Sequence, residues 1–596
     1  MQVKEEGSLK FSWKDFARAV LYLLGRRKGA YLWLSFSLII ILGFGALPPY
    51  IIGKVIDFFS NYNKGQSLAP FYLLVISGSI LTAIAAFLRL RLKRSMGDIQ
   101  SEVSYDIRVK GFDRLLGLSL AWHDNELTGN KYQRLQKGIG DLWTVSYFFS
   151  NTLYPTLISL VYTVLLLMFV RPHYLIPYFI YCVGFYFILQ YFYDRIQALN
   201  EKLNEAMENV SGAHVEGIGN ILTIKSSGAQ KKFGEHIAQR ESIKKKFEYD
   251  IRHVSNLQWQ VYQVYNAVVM GIFLILSGLD VAYGTLSVGS IVIINAYLTQ
   301  LSNRTSDILS NYEKTLEAKS GIGRMMTIFW ANDDQKRGTS KFPATWDGLT
   351  IKDAHFAYDH IDKTAATALD NINLSIPKFQ KVGIVGKTGS GKSTLSKILI
   401  GLYPLKSGSY AIGNNNFYDI SYDEISSHIA IVLQDSEMFN MSLEENITLL
   451  RKVDPELLEK ALHVSQLDDV VKKLPDGLQT SIGEKGYHLS GGERQRVGIA
   501  RAICRDPEII IFDEATSSLD SRTEAKIQQG LEKELSKKTL VFIAHRVSTL
   551  RNVDIIYVFE NGSIVESGTY AHLTKKPDSI FSRLYKLQAF EHHPAS

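Results

Sequence analysis

Residues 381–402 read KVGIVGKTGSGKSTLSKILIGL, and this stretch decides the fold of the second half of the chain. A short apolar run, Lys381 to Gly386, leads into the pattern G-x-x-x-x-G-K-S, and an apolar helical run follows from Thr394 to Leu402. A glycine-rich turn between a strand and a helix is the context in which this pattern binds phosphate. We therefore predict an α/β domain with a parallel sheet that binds a nucleotide.

The loop carries the groups that triphosphate chemistry needs. Its backbone N–H groups and the helix N-terminus supply positive potential for an anion. Lys392 is predicted to reach the β and γ phosphates, and Ser393 to place a hydroxyl on Mg²⁺. The cofactors predicted from the loop are thus ATP and Mg²⁺. The nucleotide-binding residues predicted here are Gly386, Thr388, Gly389, Ser390, Gly391, Lys392, Ser393 and Thr394.

An acidic pair follows a second buried strand. Four apolar residues, Ile509 to Phe512, lead into Asp513 and Glu514. In open parallel sheets, ligands bind beyond the carboxyl ends of the strands, so this strand delivers Asp513 towards the magnesium ion. Glu514 is one residue further on, where a carboxylate can orient or deprotonate the attacking water. We predict Asp513 as a metal ligand and Glu514 as the catalytic base.

The first half of the chain has a different pattern, with long runs that contain no charged residue. About 20 apolar residues in a helix cross a bilayer core. A water-facing helix would carry a polar stripe, and these runs carry none. We predict six membrane spans, at about 29–53, 65–88, 142–170, 172–193, 254–279 and 281–303.

The net charge of +7 combines +11 for residues 1–346 with −4 for residues 347–596. Such a basic half suits either a nucleic-acid-binding arm or a membrane domain with basic cytoplasmic flanks. The basic residues cluster in alternate connections between spans, as in Arg26 to Lys28, Arg89 to Arg94 and Lys244 to Lys246. This distribution favours a membrane protein with both termini and the nucleotide-binding domain in the cytoplasm. The same distribution excludes a nucleic-acid-binding arm, because the excess positive charge lies on the predicted cytoplasmic flanks and loops of the membrane spans.

Two cytoplasmic connections, about 89–141 and 194–253, keep helical patterning beyond the predicted spans. We predict that spans two to five continue as helices into the cytoplasm. Each connection is interrupted by a glycine-containing stretch, Gly117 to Gly129 and Gly212 to Gly228, where two helices can reverse direction. Such hairpin tips suit contact with a cytosolic domain, although a plain hairpin without a partner fits these residues equally well.

A second glycine-rich turn, Leu489-Ser-Gly-Gly-Glu493, opens the helical run that begins at Arg494. One nucleotide site does not need two such turns unless the second serves a neighbouring molecule. This turn resembles the signature sequence of ATP-binding cassette (ABC) proteins. The order of motifs along the chain is similar to theirs: Tyr358, the phosphate loop, Gln434, the signature, Asp513-Glu514, Ser518-Leu519-Asp520 and His545.

The resemblance covers nearly the whole chain and implies a role for each matching residue. Tyr358 would stack on adenine, Gln434 would contact Mg²⁺ and water, and His545 would bond the γ phosphate as a third catalytic residue with Glu514 and Gln434. Ser393, Gln434 and Asp513 form the implied metal set. The signature and the segment after the acidic pair add Ser490, Gly491, Gly492 and Asp520 to the nucleotide site, the signature acting on the partner's nucleotide.

The resemblance implies the fold class of an ABC exporter half-transporter: a membrane α-helical bundle of six transmembrane helices, followed by an α/β P-loop ATPase domain with a helical subdomain. The predicted domains are a transmembrane domain at 1–325, a linker at 326–346, a nucleotide-binding domain at 347–586 and a tail at 587–596. The implied partner is a second copy of the chain, because every matched catalytic position has the expected residue. A heterodimer stays open.

The expected function is ATP-driven export by alternating access, in a bacterial inner (plasma) membrane. Import, lipid flipping and an ATP-gated channel are alternatives on the same scaffold, whereas a soluble cassette ATPase has no place for six spans. Aromatic and amide side chains within the spans suit a drug, lipid or hydrophobic peptide. They are Asn151, Tyr154, Tyr162, Tyr181, Tyr186, Gln190, Gln258, Gln260, Gln263, Asn266, Asn295 and Gln300. Tyrosines at interfaces and amides between helices are the alternative reading of this set.

Overall fold

A computed structural model of the chain describes residues 11–124, 128–331, 338–358, 367–483, 487–544, 546–576 and 579–592. The chain divides into two compact units. The first comprises Met1–Leu116 and Gly129–Ala331, and the second comprises Gly117–Thr128 and Asn332–Ser596. The segment Gly117–Thr128, at the predicted first hairpin tip, therefore belongs with the second half of the chain.

The first unit is helical. The helices up to the linker are α1 (Trp13–Leu24), α2 (Lys28–Leu42), α3 (Leu47–Ser60), α4 (Ala69–Leu116), the short α5 (Leu120–Asp124) of the second unit, α6 (Thr128–Phe148), α7 (Tyr154–Val170), α8 (Leu175–Gly219), α9 (Ile221–Ser226), α10 (Gln230–Ala282) and α11 (Val288–Phe329). A π-helical turn, Phe149–Leu153, joins α6 to α7. Helices α4, α8 and α10 extend well past the predicted spans, which confirms that spans two, four and five continue as long helices.

Five helical stretches are long and apolar enough to cross a membrane, and they carry the first five predicted spans. They are Trp13–Ser60, Ala69–Leu116, Lys131–Val170, Pro172–Gly219 and Gln230–Ala282. The sixth predicted span lies on α11. Among the described helices, α11 is not one of the five that are long and apolar enough to cross a membrane. Polar side chains such as Asn295, Gln300 and Asn303 dilute its apolar content. Helix α11 begins at Val288, so the predicted start of this span, Val281, lies at the end of α10.

A hydrogen-bonded cluster joins α8, α10 and α11. The hydroxyl of Thr305 lies 2.7 Å from those of Tyr181 and Tyr262, and both tyrosine side chains are fully buried. The Tyr262 hydroxyl also donates to the carbonyl of Ser302 at 2.9 Å. Buried hydroxyls without such partners would be costly in an apolar interior. Tyr181, one of the side chains considered for a substrate cavity, therefore holds helices together.

The second unit is built on a six-stranded sheet in the order β12-β11-β3-β10-β9-β6. All its neighbouring strands are parallel except β11 and β12. A four-stranded antiparallel sheet has the order β2-β1-β4-β5, and β7 pairs with β8. The strands are β1 (Gly348–Ala357), β2 (Thr367–Pro377), β3 (Lys381–Gly386), β4 (Ser407–Ile412), β5 (Asn415–Asn416), β6 (Ile429–Val432), β7 (Met441–Ser442), β8 (Ser481–Ile482), β9 (Ile509–Asp513), β10 (Thr539–Ala544), β11 (Ile555–Glu560) and β12 (Ser563–Gly568).

Helices cover the parallel sheet, as its continuous apolar strands require. They are α12 (Lys392–Leu399), α13 (Tyr422–His428), α14 (Leu443–Thr448), α15 (Pro455–Val464), α16 (Asp468–Lys473), α17 (Gly491–Ile503), α18 (Ser521–Glu534), α19 (Tyr570–Lys575) and α20 (Ile580–His592). One buried cluster packs α12 between the two sheets. Another packs α14 to α18 against β6 and β9, and it forms the core of the predicted helical subdomain.

The linker is shorter than the predicted range 326–346. Helix α11 continues to Phe329, and Phe342 and Trp346 are buried in the core of the nucleotide-binding domain. The polar composition of residues 331–340 predicted where the two units of the chain join. The apolar residues that flank this stretch pack within the units, so they are not part of the linker. The last helix ends at His592, inside the predicted tail, and residues 593–596 lie outside the described part of the chain.

Candidate active site

The phosphate loop, the acidic pair and Gln434 follow strands that end at one edge of the parallel sheet. The register pairs Val385 with Ala544 and Ile543 with Asp513, so β3, β10 and β9 end side by side. Strand β6 pairs with β9 in the same direction, and Gln434 lies two residues beyond its end. The phosphate loop, the acidic pair and Gln434 therefore follow neighbouring strands at the same edge. His545 comes directly after β10 but lies outside the described residues.

The phosphate loop takes a backbone shape that only glycine accepts easily. Gly391 has a φ of +101°, and a Cβ there would lie 2.6 Å from the carbonyl oxygen of Ala368. Gly389 has a φ of +81° with open space beside its Cα. The hydroxyl of Ser390 is buried and has no hydrogen-bond partner among the described residues. A phosphate oxygen in the loop would provide one, so these residues fit the triphosphate that the sequence predicts.

Lys392 begins α12 with its side chain only 4% exposed. Its ammonium donates to two carbonyl oxygens of the loop, those of Gly386 at 2.8 Å and Lys387 at 3.0 Å. Burial lowers the pKa of Lys392, and the negative charges of Glu514 and Asp513 act in the opposite direction. The lysine thus bridges the loop and lies within the electrostatic reach of both acids.

The acidic pair is held by backbone and side-chain contacts. The hydroxyl of Ser396, on α12, donates to the carboxylate of buried Asp513 at 2.7 Å. Glu514 has a φ of +52°, and its N–H donates to the carbonyl of Ile543 at 2.9 Å. A left-handed conformation at a residue other than glycine costs on the order of 1–3 kcal/mol and occurs most often at functional sites.

Oxygen ligands of the kind that Mg²⁺ prefers are available at this edge. Ser393, Gln434 and Asp513 offer a hydroxyl, an amide and a carboxylate. The described residues contain no group of three or more His, Cys, Asp or Glu side chains that would hold a metal on its own. This is the pattern of a magnesium site that uses one or two carboxylates and completes its shell with substrate phosphates and water.

The signature turn lies at the exposed N-terminus of α17, a helix of 13 residues. Ser490 caps this helix: its hydroxyl accepts from the N–H of Glu493 at 3.3 Å, and its own N–H donates to the Glu493 carboxylate at 2.8 Å. Ser490 and Gly491 are exposed and Gly492 is partly exposed. The turn is thus an accessible helix N-terminus, and its contact with a nucleotide on another molecule stays a prediction.

Asp520 has a local structural role in the described residues. It caps α18, and its carboxylate accepts from the N–H groups of Arg522 at 3.1 Å and Thr523 at 3.0 Å. Hydrogen bonds from Thr523 hold the pKa of this carboxyl below its usual value. Its part in nucleotide binding stays a prediction that rests on the family resemblance.

Two protein-family models match the chain. The description "ABC transporter transmembrane region" matches residues 32–305, and "ABC transporter" matches residues 369–517. The chain belongs to the ABC transporter family. It is a multi-pass membrane protein with an ATP-binding domain, and it is an ATPase coupled to transport.

The transporter resembles bacterial relatives over most of its length. It is 25% identical to the uncharacterised ABC transporter ATP-binding protein YfiC of Bacillus subtilis (strain 168), over 98% of this chain and 97% of the relative. It is 28% identical to the leukotoxin translocation ATP-binding protein LktB of Bibersteinia trehalosi, over 82% and 68%. The solved structure of a bacterial Atm1-family ABC exporter with ATP bound matches with a TM-score of 0.83 at 24% identity, over 95% and 99%. This likeness establishes the exporter fold.

Glu524 is a residue of the transporter's site that sequence reasoning missed. Its buried carboxylate accepts from the hydroxyls of Thr516 at 2.9 Å and Thr549 at 3.0 Å. It also forms an ion pair with Arg546 at 3.2 Å. Thr516 follows the acidic pair and Arg546 follows His545, so Glu524 ties these two loops together. Its helix position, four residues after Asp520, gave no sequence signal for this role.

Gln495 is a second missed residue, on the helix that the signature begins. Its amide N–H₂ donates to the carbonyl of Gln434 at 3.3 Å and to the hydroxyl of Ser517 at 3.0 Å. Its amide oxygen accepts from the N–H of Ser518 at 3.0 Å. The signature helix is thereby linked to the Gln434 loop and to the segment that follows Glu514.

Tyr358 lies beside the helix that follows the phosphate loop, and its stacking on adenine stays a prediction that rests on the family resemblance. Its hydroxyl is 3.1 Å from that of Thr394, and its ring packs edge-on against Tyr403 with the centroids 5.3 Å apart. The hydroxyl of Tyr403 in turn donates to the carboxylate of Asp124, at the first hairpin tip. Leu120 of the same tip packs against the core of the nucleotide-binding domain. The transporter therefore has a short chain of contacts from Tyr358 to the tip.

Proposed function

We propose that the transporter exports amphipathic or hydrophobic compounds, such as drugs, lipids or peptides, by alternating access driven by ATP hydrolysis. The observation that carries this proposal is the meeting of the phosphate loop, Asp513 and Glu514 at one sheet edge, in a chain whose membrane unit has the exporter fold. The site at the sheet edge would hydrolyse ATP, and the helical membrane unit would form the path of the exported compound.

In the proposed reaction, each residue at the sheet edge has one task. Lys392 and the loop N–H groups bind the phosphates, and Glu514 takes a proton from the attacking water. Gln434 orients that water, and His545 contacts the γ phosphate. Mg²⁺ held by Ser393, Gln434 and Asp513 would neutralise charge on the phosphates when bound.

We further propose that the working unit is a dimer of identical chains. Ser490 and its glycines are exposed at a helix N-terminus, where they would contact the nucleotide bound by the second copy. The second hairpin tip exposes apolar side chains that suit the same partner: Val215 is 67% exposed, Ile218 73% and Leu222 79%. Apolar groups exposed together in this way usually mark a contact surface.

The proposed location is a bacterial inner (plasma) membrane, with both termini and the nucleotide-binding domain in the cytoplasm. Three groups of basic residues support this orientation: 26–28 before the first span, 89–94 after the second and 244–246 after the fourth. Such residues are retained on the cytoplasmic side. In this orientation ATP is supplied from the cytoplasm, and the export direction is outward.

Stimulation of ATPase activity by candidate compounds tests the proposed function. The purified chain, reconstituted in lipid, is screened against drugs, peptides and lipids that share similar apolar area, with Glu514→Gln as the background. We expect at least one amphipathic compound to raise ATP turnover about two-fold or more. If only lipids stimulate, the activity is that of a flippase. If no amphipath stimulates and only a small polar solute does, the proposal is wrong.

Removing one hydroxyl tests how ATP binding is transmitted to the membrane helices. Tyr403→Phe keeps the ring packing on Tyr358 but leaves Asp124 without this donor. Burial and the hydrogen bond to Asp124 raise the pKa of Tyr403, so the hydroxyl is protonated at neutral pH. We expect basal ATPase activity close to wild type and a several-fold loss of substrate stimulation.

Tyr410→Phe is the matched control for this variant. Tyr410 is buried in the same domain, and its hydroxyl donates to the carbonyl of Leu399 at 2.9 Å, away from the hairpin tip. Each variant loses one hydrogen bond, which is worth about 1 kcal/mol of stability. If the two variants lose stimulation equally, the contact of Tyr403 with Asp124 has no special part in coupling.

A further inference from the structure

The buried carboxylate of Glu524 binds three side chains that belong to two different loops. Glu524 lies in the first turn of α18 and is 8% exposed. Its Oε1 accepts from the hydroxyls of Thr516 at 2.9 Å and Thr549 at 3.0 Å. Its Oε2 accepts from the guanidinium of Arg546 at 3.2 Å. A buried carboxylate is tolerated when it has such partners, and here its partners attach both loops to one point on α18.

These two loops carry residues to which catalysis is assigned. Thr516 comes two residues after Glu514, the proposed base, and Arg546 comes directly after His545 in the sequence. The loops leave the neighbouring strands β9 and β10, and the N–H of Glu514 still donates to a carbonyl of β10 at 2.9 Å. The ladder between the strands ends at this bond. Beyond it, the carboxylate of Glu524 joins the two loops.

The turn at Glu514 needs support from the structure around it. Its φ of +52° is a left-handed conformation, which a residue other than glycine keeps where neighbouring contacts enforce it. The N–H of Ser517 donates to the carbonyl of Glu514 at 3.1 Å and closes the turn locally. Thr516, whose hydroxyl donates to Glu524, lies within this turn. Loss of the Glu524 carboxylate would therefore remove a contact that supports the backbone of the proposed base.

Apolar packing alone does not fix the positions of the two loops. A cavity of about 40 Å³ is lined by residues of both loops and of α18, among them Thr516, Arg546 and Ile527. Side chains that border a cavity lack the neighbours through which close packing holds a protein interior in one arrangement. The positions of the loops thus depend on the polar contacts that Glu524 makes.

We propose that Glu524 is a positioning residue for ATP hydrolysis, which holds the loops of Glu514 and His545 in the arrangement that turnover requires. The three side chains that it binds lie outside the phosphate loop, residues 386–393, so ATP binding does not depend on it. The inference rests on the proposed function, in particular on the roles proposed for Glu514 and His545. It adds to them a residue that acts on the rate of hydrolysis without touching the nucleotide.

Steady-state ATP turnover of the full chain, reconstituted in lipid, tests this role. Glu524→Gln keeps the shape of the side chain but removes its charge and replaces one acceptor oxygen with a donor. The matched control is Glu532→Gln, eight residues later on α18. Its carboxylate also accepts from another segment, from the side-chain amide of Asn552 at 2.9 Å. Equilibrium binding of trinitrophenyl-ATP and thermal unfolding are measured for each protein.

We expect kcat to fall about 10- to 100-fold in Glu524→Gln, the effect of a displacement of about 1 Å at a catalytic group. KM for ATP and the dissociation constant of trinitrophenyl-ATP should stay close to wild type. Glu532→Gln should resemble wild type in all three quantities. Wild-type kcat in a folded Glu524→Gln protein would overturn the role. A parallel loss of turnover and ATP binding would also overturn it, because that is the result of a merely structural defect.

Two variants that each remove a single hydroxyl decide the question if Glu524→Gln does not fold. Thr516→Val and Thr549→Val keep the shape of the side chain and leave the ion pair with Arg546 in place. We expect each to lower kcat about 3- to 10-fold, the size of one hydrogen bond, with ATP binding unchanged. Wild-type kcat in both variants would contradict a positioning role for Glu524.

A double-mutant cycle separates this inference from the roles on which it rests. Phosphate release is measured for Glu514→Gln, Glu524→Gln and the double variant. Because Glu524 acts through the position of the catalytic groups, the combined loss should be clearly smaller than the product of the two single losses. Losses that multiply in full would count against the inference. If Glu514→Gln retains turnover, the proposed base is wrong and the inference falls with it. If Glu514→Gln is inactive while Glu524→Gln matches wild type, the inference alone fails.

Discussion

Replacing Glu514 with glutamine is expected to lower steady-state ATP turnover by about two to four orders of magnitude, the contribution typical of a general base. ATP binding should be retained. Glutamine keeps the shape of the side chain and the left-handed turn at this residue, but its amide cannot accept a proton from water. Lys392 and the phosphate loop, which bind the nucleotide, are unchanged. Phosphate release and equilibrium binding of a fluorescent ATP analogue measure the two effects separately.

The matched control for this variant is Glu560→Gln. Glu560 also ends a parallel strand of the same sheet, β11, but it is not among the predicted site residues. It should turn over ATP at the wild-type rate. Turnover in Glu514→Gln within a few-fold of wild type would remove this residue from its proposed role.

Replacing Lys392 with methionine is expected to weaken ATP binding by about 10- to 100-fold, since hydrogen bonds to charged groups contribute about 1.5–3 kcal/mol. ATPase activity should fall below detection. Methionine keeps the length of the side chain but removes the cation that donates to the two loop carbonyls. Equilibrium ATP binding and phosphate release measure the effects.

Lys387→Met is the control, because Lys387 is an exposed residue of the same loop. It should bind ATP as wild type does. Thermal unfolding of both variants separates loss of binding from loss of structure, since Lys392→Met leaves the carbonyls of Gly386 and Lys387 without their donor. Wild-type ATP affinity in a folded Lys392→Met protein would contradict the proposed role of this lysine.

Local chemistry explains why much of this architecture was predictable. The phosphate loop needs a strand, a glycine-rich turn and a helix in direct succession, and all three are contiguous from Lys381 to Leu402. The acidic pair follows its strand directly, and the absence of charge from long runs is visible without any tertiary contact. The start of the sixth span was located less well, because the segment between α10 and α11, residues 283–287, carries no charge and does not interrupt the uncharged run.

Contacts between distant residues were beyond the sequence. Glu524 and Gln495 read as ordinary polar positions of their helices, and only the folded chain brings them to Thr516 and Ser518. Tyr403 and Asp124 are far apart along the chain, so their hydrogen bond had no local signal. For Tyr181, the sequence suggested a role that the structure does not favour. A polar aromatic side chain in a span suited a substrate cavity, but its hydroxyl forms a hydrogen bond with Thr305 inside the helix bundle.

ATP-driven transport into inside-out vesicles is the most direct measurement of export driven by hydrolysis at Glu514. The radiolabelled amphipath that stimulates ATPase activity most strongly is supplied outside, with ATP, to vesicles that contain the wild-type chain or Glu514→Gln. We expect accumulation above the external concentration for wild type and none for Glu514→Gln. Equal uptake by the two proteins, or downhill flux of many molecules for each ATP hydrolysed, would contradict an exporter driven by hydrolysis at Glu514.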